Sequence, residues 1–319
     1  MLTLIQNPAR VLRRVAAGAL VVGAALLSGC ASDFSNYDNQ TTFASPEKAV
    51  NALVDAAKAD DVPRLKSIFG DHAELVLSSG DPVADRQNRE VFTVAAQQGW
   101  KLERLSADAR GLVLGYDNWP FPIPVVKDSR GWWFNTEAGW LEVVARRIGR
   151  NELATIGSLQ AYVIAQREYA SEGHDGRPAG LYAQRVRSQP GRQDGLYWPV
   201  NSPGERPSPL SELAAQATAD GYGQQLNAAP APFHGYIYRI LTEQGPDAPG
   251  GAMNYMNGAD MTGGFAMIAT PAVYGKSGVM TFMVGPGGVV YESDLGDNTA
   301  AAAAAITSFN PDSRWSVVD

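Results

Sequence analysis

The sequence predicts an α+β fold built as two units, each a group of helices followed by an antiparallel sheet. Three observations predict it. Apolar residues recur at the helical period of 3.6 between Pro46 and Gln98, then at the strand period of two from Trp100 to Thr136. The same switch occurs a second time, from a helical stretch at Arg150–Gly173 to alternating stretches beyond Gly235. Between that helix and its strands lies a segment, 173–233, crowded with Gly, Pro, Ser, Arg and Gln. The predicted units are therefore residues 45–140 and 146–319, and a chain of 319 residues with 45% hydrophobic content suits two globular domains.

Ahead of both units, residues 1–29 have the pattern of a leader. Arg10, Arg13 and Arg14 form a basic start with no acid, and an apolar run extends from Val15 to Leu27. That run is shorter than the roughly 20 residues a membrane-spanning helix needs. It ends in Leu27-Ser28-Gly29-Cys30, which closely resembles a bacterial lipobox. The resemblance implies cleavage before Cys30 and acylation of its thiol. Multiple acyl chains give stable anchoring, since each buried CH₂ contributes about 0.8 kcal/mol. Ala31 and Ser32 follow in place of the aspartate that resembles an inner-membrane retention signal, so the expected place is the outer membrane, facing the periplasm. Residues 30–44 are polar and read as a flexible tether.

Cys30 is the only cysteine, which leaves no disulfide framework and no second thiol for catalysis or a metal. The net charge is −7, and removal of the leader takes away three further cations. An acidic chain of this kind is not built to meet nucleic acid, which calls for a basic face.

The first unit opens with Ser45, Pro46 and Glu47, an N-cap, a proline at the first helical position and an acid in the first turn. Ala49, Leu53 and Ala56 follow at helical spacing, Leu65, Ile68 and Phe69 lie on a helix after Pro63, and Pro82–Gln98 makes a third. Strand-like stretches then cover WKLERLS, GLVLGY, PIPVVKD and GWWFNT, the last two joined by a turn at Asp128–Gly131. In the second unit Ile148, Ile156, Leu159 and Val163 mark one face of the helix, and Ile156, Leu159 and Val163 are predicted to be buried against strands at 236–241, 264–269 and 279–284. Within 173–233 a short helix is expected at SPLSELAAQATADG, with Ser208 as N-cap and Pro209 at its first position. Strands GYIYRILTEQG, GGFAMIATPA, GVMTFMVG and GVVYESDL precede a last helix capped by Asp297 or Asn298.

Several of these stretches carry a family resemblance. GRNELATIGSLQAYVIAQREYAS, DGLYWP, YIYRILTEQG, MTGGFAMIATPAVYGKSGVMTFMV and GVVYESDLG together resemble the bacterial family called domain of unknown function 2950, and the likeness extends through GWWFNTEAGWLEVVARRIGRNE. The family brings no assigned activity with it. By element order alone, the first unit is similar to cone-shaped domains of the nuclear-transport-factor-2 and cystatin-like group. The second resembles the heads of type IV pilin-like proteins and pseudopilins. It departs from them at Gly139–Gly149, which is charged and too short to span a bilayer.

The residues that could carry chemistry are scattered. His72, His174 and His234 stand in three different contexts without a second His or Cys at ligand spacing. No G-x-S-x-G elbow is present. Glu292, Asp294 and Asp297 do not match a calcium loop and fit a strand end and helix cap better. The pairs Gly250-Gly251 and Gly263-Gly264 read as turns, since neither follows a strand and opens a helix. Glu152 sits within the apolar stripe and is either a buried carboxylate or an acid of the first helical turn, the second being the commoner use. Trp132, Trp133 and Trp140 read as core, while Tyr197 and Trp198 either pin the long segment or offer a contact surface. No catalytic, cofactor-binding or metal residue is assigned, and Cys30 is the single site, for lipidation. The expected function is a non-enzymatic envelope lipoprotein that binds or scaffolds an envelope protein or polymer. The alternative is a periplasmic ligand-binding protein or a hydrolase acting on an envelope polymer.

Overall fold

The computed structural model describes residues 40–200, 204–222 and 231–318; the leader, Cys30 and the tether up to Asn39 lie outside the described residues. The fold is α+β. From Asn39 onward the chain forms one compact unit, with two hydrophobic cores, one under each sheet.

The first core takes its helices from capped starts. Helix α1, Pro46–Lys58, begins where the Ser45 side chain accepts from Lys48 N. Asp61 caps α2, Val62–Phe69, in the same way, and Asp81 caps α4, Pro82–Gln98, after a short α3, Ala73–Leu77. Each such cap satisfies N–H groups that the helix cannot pair internally. The sheet contains β1 (Trp100–Arg104), β2 (Ala109–Leu114), β3 (Trp119–Pro120), β4 (Val125–Asp128) and β5 (Gly131–Phe134). All its pairings are antiparallel, in the order β1-β2-β4-β5 with β3 on β2. Leu53, Leu65 and Ile68 bury against Leu112, Val125 and Phe134. Trp132 and Trp133 are buried as expected.

Helix α5 runs from Trp140 to Ala170, 31 residues, beginning ten residues before the predicted stretch. At about 1.5 Å per residue it is roughly 46 Å long. The charged start is helical because its charges are used. Glu142 pairs with Arg146 one turn on, and Arg147, 3% exposed, donates to the carbonyls of Val76 and Ser78. The helix therefore belongs to both cores: Val143 packs with the first, Leu159, Tyr162 and Val163 with the second. Among the described residues no helix is long and apolar enough to cross a membrane.

After a short α6, Ser211–Ala219, the second sheet is built from β6 (Tyr236–Leu241), β11 (Ala266–Pro271), β12 (Met280–Val284), β13 (Val290–Asp294) and β14 (Ser316–Val317). Two short ladders lie between β6 and β11: β7 (Glu243–Gln244) with β8 (Met253–Asn254), and β9 (Met256–Asn257) with β10 (Asp260–Met261). The main order is β14-β13-β12-β11-β6, antiparallel throughout, and α7, Thr299–Ala305, follows β13. Leu159 and Val163 are buried in this core and Ile156 packs at its margin.

Three local expectations need correction. Glu152 is not in a first turn, because α5 starts twelve residues earlier; its Oε1 accepts from Val279 N and Met280 N and fixes the entry of β12. α6 begins after Leu210 rather than at Ser208, whose backbone carbonyl accepts from Ser211 N while its buried hydroxyl finds no partner among the described residues. Asn298 precedes α7 but makes no side-chain cap bond.

Candidate ligand-binding groove

A groove of about 320 Å³ opens where α5 ends, walled by the start of the long segment and by the β9–β10 turn. Its geometry begins with a reversal of the chain. Gly173 passes so close to Arg177 that an added Cβ would lie 2.3 Å from the Arg177 carbonyl oxygen, so only glycine fits. The next four residues close a turn, with Arg177 N donating to His174 O at 2.9 Å and positive φ at both central residues, Asp175 and Gly176. Those angles belong to a type I′ turn, which Asp-Gly adopts readily. The turn lays the His174 ring flat on Tyr169, with centroids 4.1 Å apart.

This reversal separates two glycine substitutions on or beside α5. Gly173→Ala is expected to lower the melting temperature by several degrees, because backbone must move to admit a methyl group. Gly149→Ala, where nothing lies within 4 Å of the new Cβ, is expected to raise it by the roughly 1 kcal/mol of helix propensity that alanine gains over glycine. Thermal unfolding of the two variants checks both signs.

A second turn forms the opposite wall. Gln189-Pro190-Gly191-Arg192 has proline second, glycine at φ +74° third, and a bond from Arg192 N to Gln189 O, the signature of a type II turn. Asp194 accepts from Gln189 N at 2.8 Å and so closes the loop, while Gly195 packs where a Cβ would meet Ser188 N at 2.7 Å. The two walls are tied together. Gln193 N donates to Asp175 Oδ2, and the Tyr169 hydroxyl donates to Gln193 O at 2.8 Å. Burial, then the charges of Asp175 and Asp194, push the Tyr169 phenol above its ordinary value, so it stays a donor. Gln184 reaches the carbonyl of Ala259 on the third wall. Beneath them Gln166, fully buried, holds Ala183 by both its N–H and its carbonyl.

The charges along the groove are used unequally. Glu172 pairs with Arg206, Arg177 with Asp260, and Arg185 stands 3.8 Å from Asp194. Arg192, exposed at the exit of its turn, has no side-chain partner among the described residues. The site thus offers fixed acceptors, guanidinium donors with spare N–H groups, and aromatic side chains around one small cavity.

Of the residues singled out in the sequence, only His174 lines this groove. His72 pairs with Glu137 and stacks on Trp140, while His234 packs against Tyr222 and Phe233, where burial pulls its imidazole below the usual value. Asp294 accepts from Gly296 N and the Tyr274 hydroxyl. Among the described residues no group of three or more His, Cys, Asp or Glu is placed to hold a metal ion. Trp198 is buried in the second core, so it pins the long segment. Sequence reasoning passed over Arg177, Arg185, Arg192 and Asp194. The available signal was the Q-P-G-R turn and the four arginines between 177 and 192.

Residues 40–318 match the family described as Protein of unknown function (DUF2950), and the chain belongs to that family. No curated protein and no solved structure matches the chain.

Proposed function

We propose that this DUF2950 protein is a lipid-anchored, non-enzymatic binding protein of the cell envelope, which holds an envelope component in the groove at the end of α5. The observation that carries the binding role is the fixed state of the walls. Asp175, Asp194, Gln184 and Tyr169 are each committed to a backbone partner, which leaves the arginine donors on a preset frame. A surface organised in advance loses little conformational freedom when a ligand arrives, so modest contacts suffice for affinity. The anchoring role rests on the leader and on Leu27-Ser28-Gly29-Cys30.

One experiment in cells addresses both parts. A photo-crosslinking residue at Ala259, on the groove wall, is expected to give a discrete adduct, whereas the same residue at Tyr116, an exposed position in the loop between β2 and β3, should give none. Cys30→Ser is expected to move the protein out of the membrane fraction and to weaken the adduct. Equal membrane retention of Cys30→Ser and parent would refute the anchor. Equal labelling at Ala259 and Tyr116 would refute the groove.

A further inference from the structure

We propose that the ligand of the groove is an acidic sugar, a ring bearing a carboxylate whose charge is met by Arg192. The inference rests on the binding reading above and adds the ligand's class.

Three features select that class. The first is the mixture of charges. Glu172, Asp175 and Asp194 line one cavity together with Arg177, Arg185 and Arg192. A phosphate or another compact polyanion would face three carboxylates there. A sugar hydroxyl uses both kinds of group at once, donating to a carboxylate while accepting from a guanidinium. The second is the one charge left over. Glu172 and Arg177 have partners outside the cavity lining, Arg185 faces Asp194, and Asp175 accepts from Gln193 N. Among the described residues Arg192 alone of these charges is uncommitted, and a guanidinium matches a carboxylate with two parallel N–H···O bonds. The third is shape. About 320 Å³ is near the lower end of ligand pockets, roughly 300–1,000 Å³, room for a sugar unit or two but not for a folded partner. The half-buried Tyr182 lines the same groove and supplies an aromatic surface for the C–H side of a sugar ring.

The test is calorimetric titration of the purified full-length protein in a zwitterionic detergent. The probes are a trimer of galacturonic acid, its neutral galactose counterpart and an acetylated alanine dipeptide with a free carboxylate. Saturable binding is expected for the acidic trimer, at least tenfold tighter than for the neutral one, and weakening as salt is raised. Arg192→Gln should cost at least tenfold and Arg192→Lys should recover part of it. Arg314→Gln, whose partner is Asp312 on the C-terminal segment, should bind as the parent does. Arg192 is exposed and has no side-chain partner among the described residues, so its variants should melt with the parent, which separates lost binding from lost fold. Equal affinity for the acidic and neutral trimers, or parent-like binding by Arg192→Gln, would overturn the proposal. Binding of the dipeptide in preference to both sugars would assign the groove to peptide carboxylates instead. If no sugar binds while the Ala259 adduct persists in cells, the sugar class falls and the binding reading stands; loss of that adduct removes the reading itself.

Discussion

Asp81→Ala is expected to be the most destabilising of the polar substitutions, costing about 4–6 kcal/mol. Asp81 is fully buried and its carboxylate accepts four bonds. Oδ1 takes Val83 N and Ala84 N and caps α4, while Oδ2 takes the Tyr222 hydroxyl and Gly235 N at 2.8 Å each. The first pair belongs to the helices of the N-terminal core and the second to the end of the long segment and the approach to β6. Truncation removes the cap, worth about 0.5–2 kcal/mol, and strands two further donors at about 1–3 kcal/mol each. Total stability of a domain is typically about 5–15 kcal/mol, so the loss is a large share of it. Since about 1 kcal/mol moves the midpoint of a chain this size by roughly 2–4 °C, thermal unfolding should show a drop of about 10 °C or more. Asp81→Asn keeps one acceptor oxygen but turns N–H groups toward Gly235 N, so it should fall between parent and Asp81→Ala. Tyr222→Phe should cost less, and in a double-mutant cycle with Asp81→Ala the two losses should add to more than the double variant shows. A midpoint for Asp81→Ala within 2 °C of the parent would show that the carboxylate does not join the two cores.

That link explains what the sequence could and could not reveal. Period changes located both sheets and the helices preceding them, because burial of one face writes itself into local spacing. Pro82–Gln98 was legible to the residue, since Asp81 and Pro82 are adjacent signals of a helix start. The start of α5 was not. Trp140–Arg150 carries Glu142, Arg146, Arg147 and Arg150, and their number hides the fact that Arg147 is buried on carbonyls about seventy positions away. Glu152 was misplaced for the same reason, its partners lying at 279 and 280. The groove was the least legible part. Its arginines and carboxylates come from a segment without periodicity, and only turn chemistry, Asp175-Gly176 and Pro190-Gly191, sets where they point. Turn signals locate a reversal but not what the reversal faces.

Leu159→Ala is expected to cost about 2–5 kcal/mol, the usual range for emptying a buried leucine site. Leu159 is fully buried on the face of α5 that meets β11, β12 and β13, in the cluster that holds Phe265, Phe282 and Val284. Its neighbours are strands held in register on both sides, so they have little freedom to close the cavity, which favours the upper part of that range. Leu159→Met, which keeps volume, should cost less than about 1.5 kcal/mol. Arg167→Ala provides the contrast. Its guanidinium is exposed and reaches the Pro286 carbonyl at 2.8 Å in the turn between β12 and β13. One exposed charge-assisted bond contributes on the order of 1 kcal/mol or less, and the loss should be correspondingly small. Denaturant unfolding of the three variants should rank Leu159→Ala far below Leu159→Met and Arg167→Ala, with unchanged slopes. The outcome bears on the groove as well. Tyr169 lies ten residues further along the same helix, so loosening α5 from its sheet should release the wall that Tyr169 and Gln166 hold. If Leu159→Ala instead unfolds with the parent, the helix is not anchored through this face, and the groove at its end loses the rigid support on which its preset geometry depends.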